Sequence, residues 1–115
     1  MKKKKVIPLS KLYKKLWDLQ SKVIRQEADG VCYICGDKRD WKLQQAGHYC
    51  HCSKMNPLSY DLRNIKCSCV RCNKWLSGNL GQYATKLIKE YGEGITEELE
   101  SLKRGLRKLD RGWVE

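Results

Sequence analysis

Cys32-Tyr33-Ile34-Cys35-Gly36 and Cys69-Val70-Arg71-Cys72-Asn73 are the two stretches on which the reading of this chain turns. Each contains a Cys-x-x-Cys knuckle. The two-residue spacer lets both sulfurs of a pair reach one ion, and four thiolates bind Zn2+ tetrahedrally. Gly36 suits the tight turn that closes the first knuckle. Scattered core cysteines or a redox pair are the competing readings. A closed four-thiolate site has no open coordination position, so zinc held by Cys32, Cys35, Cys69 and Cys72 is expected to be structural.

The segment between the knuckles, 36–68, has 33 residues. An ordinary zinc ribbon needs roughly 15–20. The insert has room for a β-hairpin and carries Gly47-His48 and Asn64, and Asn73 follows the second knuckle at once. Residues 31–77 hold all seven Cys and both His and break the helical periodicity seen on either side. Short strands are expected around the Cys pairs, with a loop over 53–57.

Upstream, Leu9, Leu12, Tyr13, Leu16, Val23 and Ile24 recur at helical spacing, and Lys11, Lys14, Lys15, Lys22 and Arg25 fill the other face. This pattern predicts a helix over 10–28 that ends near Gly30. Downstream, Asn79 with Gln82 reads as a capping box. It opens a helix presenting Leu80, Tyr83, Ala84, Leu87, Ile88 and Tyr91 and stopping at Gly92. A last helix follows Thr96. Its Leu99, Leu102, Leu106 and Leu109 form a narrow 3-4-3 seam that packs on the domain or on a second copy.

The chain has 115 residues, enough for one compact domain. Its 24 Lys and Arg against 13 Asp and Glu give +11, which suggests a polyanionic partner, nucleic acid first. Solubility alone is the bland alternative. No apolar run approaches the roughly 18 residues that span a bilayer. Lys2 to Lys5 form a basic tail over 1–8, and only Val6 and Ile7 follow where a secretory signal needs a long apolar region. A cytoplasmic, reducing location is therefore expected, where an odd number of cysteines argues for metal ligation and against disulfides.

The order Cys-x-x-Cys, Gly-His, Asn64, Cys-x-x-Cys-Asn resembles the HNH, or ββα-metal, nucleases. Ala46-Gly47-His48-Tyr49, Leu62-Arg63-Asn64-Ile65, Cys69-x-x-Cys72-Asn73 and Ser77-Gly78-Asn79-Leu80 are similar to the phage lambda NinG (Rap) recombination family. The likeness runs from about Trp17 to Glu98. It implies an α+β fold with a zinc-stapled ββα-metal, treble-clef-like core over 31–77 and flanking helices, the last two over 79–110, making one domain over 9–115.

The resemblance also implies an endonuclease that hydrolyses phosphodiesters in branched recombination intermediates, such as Holliday junctions and displacement loops. His48 would be the general base, a task its near-neutral pKa suits. Asn64 would bond across the hairpin and orient His48. Asn73 would help hold a catalytic Mg2+ or Mn2+ ion that stabilises the phosphate and the leaving 3′ oxygen. His48 and Asn73 are then expected to converge on one solvent-open pocket apart from the zinc. HNH enzymes commonly place an acidic residue or His just before the base; here it is Gly47, and two positions earlier stands Gln45. Asp61 and His51 are the nearest residues to complete the cation site.

Arg63, Lys66, Arg71 and Lys74 surround the motif and are the candidate phosphate contacts, or else an ordinary solvated face. Trp41 and Trp75 read as core rather than as base-stacking platforms. Cys50-His51-Cys52 with Cys67 could form a second zinc site, but strand alternation would turn His51 away from His48, Cys50 and Cys52. A DNA-binding zinc module without chemistry is the rival to the enzyme. A two-fold junction invites a homodimer, for which the leucine seam is the candidate surface.

Overall fold

A computed structural model describes residues 8–53 and 55–114, with side chains as far as Arg104. The basic tail expected at 1–8 lies outside them except for Pro8, as do Lys54 of the expected 53–57 loop and the side chains of Leu106 and Leu109.

Helix α1, Leu9–Glu27, lies within a residue of the expected span. Pro8 precedes it, and its carbonyl receives the backbone N–H of Lys11 and Leu12. Termination is sharp. Asp29 and Gly30 both take positive φ, and the Gly30 N–H returns to the Arg25 carbonyl at 3.1 Å. No side chain fits at Gly30, because a Cβ there would lie 1.7 Å from the Arg39 carbonyl oxygen.

The face α1 turns inward is not the one its leucines suggest. Leu9, Leu12, Leu16, Leu19 and Val23 are exposed, and no residue of the helix is fully buried. Tyr13, Trp17, Gln20 and Ile24, at 4-3-4 spacing, are half-buried, as are Ser21 and Arg25. Tyr13 stacks on Tyr60, Trp17 on His48, and Gln20 donates to the Tyr60 carbonyl at 2.7 Å.

The sheet is one antiparallel hairpin, β1 (Gln45–His48) on β2 (Ile65–Ser68), in a register that pairs Gln45 with Ser68 and His48 with Ile65. A π-helical turn, Arg71–Trp75, follows β2 and the second knuckle. The first knuckle is closed by a bridge between Val31 and Lys38. Helix α1 packs along β1 and β2.

Helices α2 (Leu80–Tyr91) and α3 (Ile95–Val114) cover the other side. The Asn79–Gln82 capping box does not form. Asn79 is left-handed at φ +48°, which removes the geometry of a capping side chain, and its Nδ2 donates instead to Gln82 Oε1 and toward Cys72 Sγ. The core joins Cys32, Ile34, Cys50, Leu58, Cys69 and Cys72 to Tyr83, Leu87, Ile95 and Leu99. Leu99 is fully buried and Leu102 packs beside it, so this half of the leucine seam is used within the domain. No helix among the described residues is long and apolar enough to cross a membrane.

Candidate functional site

The two knuckles come together. The Sγ atoms of Cys32, Cys35, Cys69 and Cys72 all lie within 4.8 Å of one another, and those of Cys35 and Cys69 are 3.6 Å apart. Sulfurs about 2.3 Å from a tetrahedral zinc are spaced by about 3.8 Å, so the four thiolates could hold a metal such as zinc. The backbone prepares them for negative charge. The Cys35 N–H points at Cys32 Sγ and the Cys72 N–H at Cys69 Sγ. Burial alone would raise the Cys32 thiol, but backbone N–H groups of Cys35, Cys69 and Ile34 outweigh it and bring it down to about 7. Burial pushes Cys72 up to about 12, a cost that a bound cation would remove.

This is the only group of three or more potential His, Cys, Asp or Glu ligands among the described residues. The second site that Cys50-His51-Cys52 with Cys67 could have formed, already disfavoured by strand alternation, is not assembled. Cys50 is packed in the core, and Cys52 Sγ meets Ser59 Oγ at 3.1 Å. The strand ends at His48, so its alternation does not extend to His51, whose ring stands 6.0 Å from that of His48.

The hairpin separates the residues expected to share one pocket. Asn73 lies against one face of β1. Its Nδ2 donates to Gln45 Oε1 at 2.7 Å, and a Cβ on Gly47 would sit 2.8 Å from its Oδ1. Gly47 is thus what allows Asn73 to lie flat on the strand. His48, one residue on, points to the opposite face. There its ring stacks on Trp17 of α1, centroids 4.8 Å apart and 19° from parallel. The two side chains thus meet different neighbours, Asn73 the Gln45 amide and His48 the Trp17 ring.

His48 Nε2 stands 2.8 Å from the Ser59 carbonyl oxygen. A carbonyl only accepts, so Nε2 carries the hydrogen and Nδ1 is the nitrogen free to take a proton. Burial lowers the pKa of His48 below its usual 6.5. The Ser59 hydrogen bond opposes that shift, and His51 adds slightly to it. The ring is neutral at pH 7, as a general base requires.

Asn64 is fully buried and ties the loop after β1 to the start of β2. Its Oδ1 accepts the Cys50 N–H at 2.7 Å, and its Nδ2 donates to the carbonyls of Cys50 and Leu58. Leu58 precedes Ser59, so Asn64 fixes the loop that presents the His48 acceptor. Asn64 thus bonds to Cys50 beyond the end of β1 and to Leu58 in the loop.

A resident Mg2+ or Mn2+ ion does not fit the Asn73 side. The oxygens there belong to two neutral amides, and Gln45 Oε1 already accepts from Asn73 Nδ2, whereas such ions are held through one or two carboxylates. Asp61 does not help, because it chelates Arg63 through both oxygens, which holds its carboxyl below the usual range. His51 lies on the His48 side.

Of the four expected phosphate contacts, two are committed inside the domain. Arg63 bridges Asp61 and Glu98. Lys66 is caged over the rings of Tyr33 and Tyr91, donates to the Tyr91 hydroxyl and faces Glu90, which also bonds Tyr33. Arg71 and Lys74 are exposed. Trp75, expected in the core, is 81% exposed, and Trp41 is half-buried beneath the Arg25 guanidinium. Sequence reasoning missed Trp17 and Ser59. The 4-3-4 spacing of Tyr13, Trp17, Gln20 and Ile24 could have found Trp17; nothing in the sequence marks Ser59.

The chain matches the family described as Bacteriophage Lambda NinG protein over residues 1–110. It is 37% identical over 78 residues to Protein ninG of Escherichia phage 933W and to that of Salmonella phage P22. Against Protein ninG of Escherichia phage lambda the identity is 36% over 78 residues. Each alignment covers 66% of this chain and 37% of the relative's length, so the chain spans little more than a third of the curated relatives it matches. No solved structure matches.

Proposed function

The chain belongs to the phage lambda NinG family, and from that premise we propose that it is a zinc-stapled DNA endonuclease acting on branched recombination intermediates, Holliday junctions and displacement loops among them. The observation that carries the reading is His48, a neutral imidazole with Nε2 bound to the Ser59 carbonyl and its plane held by Trp17. Such a ring is prepared to accept a proton at Nδ1. The hairpin followed by a short helical turn, with two Cys pairs behind it, is the arrangement that the HNH likeness implies.

In this reading Cys32, Cys35, Cys69 and Cys72 hold Zn2+, which keeps the hairpin and the turn together and takes no part in the chemistry. Nδ1 of His48 accepts a proton from water as the water oxygen attacks phosphorus. The bond from phosphorus to the 3′ oxygen breaks, and that oxygen takes up a proton from solvent. A 5′ phosphate and a 3′ hydroxyl result. Asn64 positions the loop, and Arg71 and Lys74 offer charge to the backbone of the DNA. No step is assigned to a divalent cation.

A second reading is a DNA-binding zinc module without chemistry. The Gln45–Asn73 amide pair favours it, because it occupies the place where the HNH likeness implies a cation site. A nicking assay on junction and linear DNA, with Mg2+ or Mn2+ supplied, separates the two. Junction nicking by the wild type that is lost in His48→Ala supports the enzyme. Tight junction binding with no nicking by either protein sinks it in favour of the module.

A further inference from the structure

Trp75 is the most exposed large apolar residue described, at 81%. An indole is costly to leave in water, and nothing in the domain covers this one. It stands at the mouth of a cleft of about 540 Å3. Leu43 and Val70, both exposed, give that cleft apolar walls. Arg71 stands beside Trp75 and makes no ion pair among the described residues, whereas Arg39, also on the rim, is paired with Asp37 at 2.8 Å. The inner wall includes Gln44, only 2% exposed. Its Nε2 donates to the carbonyls of Gly30 and Asp37, which fixes the amide's orientation and leaves Oε1 without a donor.

We propose that this cleft binds an unpaired nucleotide of single-stranded DNA, with the base stacked on Trp75 and the adjoining phosphate on Arg71. Every base has a π-face, so an exposed indole takes any of them, and a guanidinium beside it completes the pairing of stacking with backbone charge that single-strand sites use. The cleft is wide enough for one base, with Leu43, Val70 and Trp75 as its apolar side and Asp37, Arg39, Gln44 and Arg71 as its polar side. The surface lies beside the second knuckle, and neither His48 nor Asn73 lines it. It would hold the unpaired nucleotides of a branch point while the duplex arms lie elsewhere. The inference rests on the DNA-binding half of the proposed function and not on cleavage.

The test uses the full chain without added divalent metal. Binding of labelled oligo(dT), whose bases carry an N3–H, and of a blunt duplex of equal length is followed by fluorescence anisotropy over a salt series. Trp75→Ala should weaken oligo(dT) binding by about tenfold and leave duplex binding and zinc content unchanged. Trp75→Phe should retain most of the affinity. Arg71→Gln should flatten the single-strand salt dependence by about 0.7 in slope. Trp75→Ala binding oligo(dT) as the wild type does, or losing equally on both DNAs, would overturn the assignment. A wild type that nicks nothing yet shows these effects would sink the endonuclease alone and support the cleft.

Discussion

Asn73 donates its side-chain amide to the side-chain oxygen of Gln45 across 2.7 Å, on the face of β1 opposite His48. That bond occupies Gln45 Oε1, and neither amide carries the charge that would hold a hard cation. One substitution changes that balance. Gln45→Glu keeps an acceptor for Asn73 Nδ2 and adds a carboxylate next to Asn73 Oδ1, the minimum that Mg2+ and Mn2+ sites use. Calorimetry with Mn2+ on the zinc-loaded protein should show no saturable site in the wild type and one in the variant. A wild type that holds Mn2+ as tightly as Gln45→Glu would show that the amide pair is itself a cation site.

The cysteine cluster makes a separate prediction. One zinc per chain should be found by metal analysis and should be lost in Cys72→Ser. Cys52→Ser, outside the cluster, should keep it. Binding free energies at structural zinc sites are of order 10 kcal/mol, comparable to the whole stability of a small domain. A strong chelator should therefore abolish the near-ultraviolet dichroism of the knuckle region. Purified full-length protein free of zinc, with that signal intact, would contradict it.

Asn64→Ala tests the loop. The change removes three hydrogen bonds at a fully buried position; it takes the partner from the Cys50 N–H and carbonyl, while the Leu58 carbonyl keeps the Asp61 N–H. Unpaired buried groups make such a loss more costly than the bonds alone. A loss of about 3 kcal/mol in denaturant unfolding is expected, with faster amide exchange at Cys50. If Asn64→Ala unfolds within about 0.5 kcal/mol of the wild type, Asn64 is a turn residue and not the tie between loop and sheet.

Much of this arrangement was legible in the sequence, and the reason is local. Knuckle spacing fixes which sulfurs can meet, and helix ends follow from Gly30 and Gly92, so the zinc cluster and the spans of α1 and α2 could be read directly. What could not be read depends on which of two apolar stripes a helix turns inward. The leucines of α1 outnumber its aromatic stripe, yet Tyr13 and Trp17 face the domain, where each finds a ring to stack on, Tyr60 and His48. The separation of His48 from Asn73 follows from strand alternation at Gly47, and it was predictable only once Asn73 was known to lie against that glycine. Arg63 and Lys66 looked like phosphate contacts in sequence because their partners Glu98, Glu90, Tyr33 and Tyr91 arrive from other elements.

The sharpest prediction concerns the protonation of His48. Burial lowers its folded pKa below the usual 6.5, and Trp17 stacks on the buried ring. As pH falls, the unfolded chain therefore takes up this proton before the folded one does. The stabilisation from keeping the ring neutral is complete above about pH 6.5 and is lost as pH drops toward the folded pKa, with a slope of at most about 1.4 kcal/mol per pH unit. If the neutral ring is also the general base, the acid limb of kcat/KM for junction cleavage should fall below pH 6.5 as well. Trp17→Ala opens the ring to water, so both the titration and the acid limb should move up toward 6.5 while zinc content stays the same. His48→Ala should remove the pH-dependent term in stability and lower cleavage by about 10²–10⁴ without loss of junction binding. Proton NMR titration reads the ring directly, with His51→Gln assigning the resonance. A His48 that titrates at or above 6.5, or an acid limb that Trp17→Ala leaves in place, would show that the Trp17 stack does not set the protonation of this histidine.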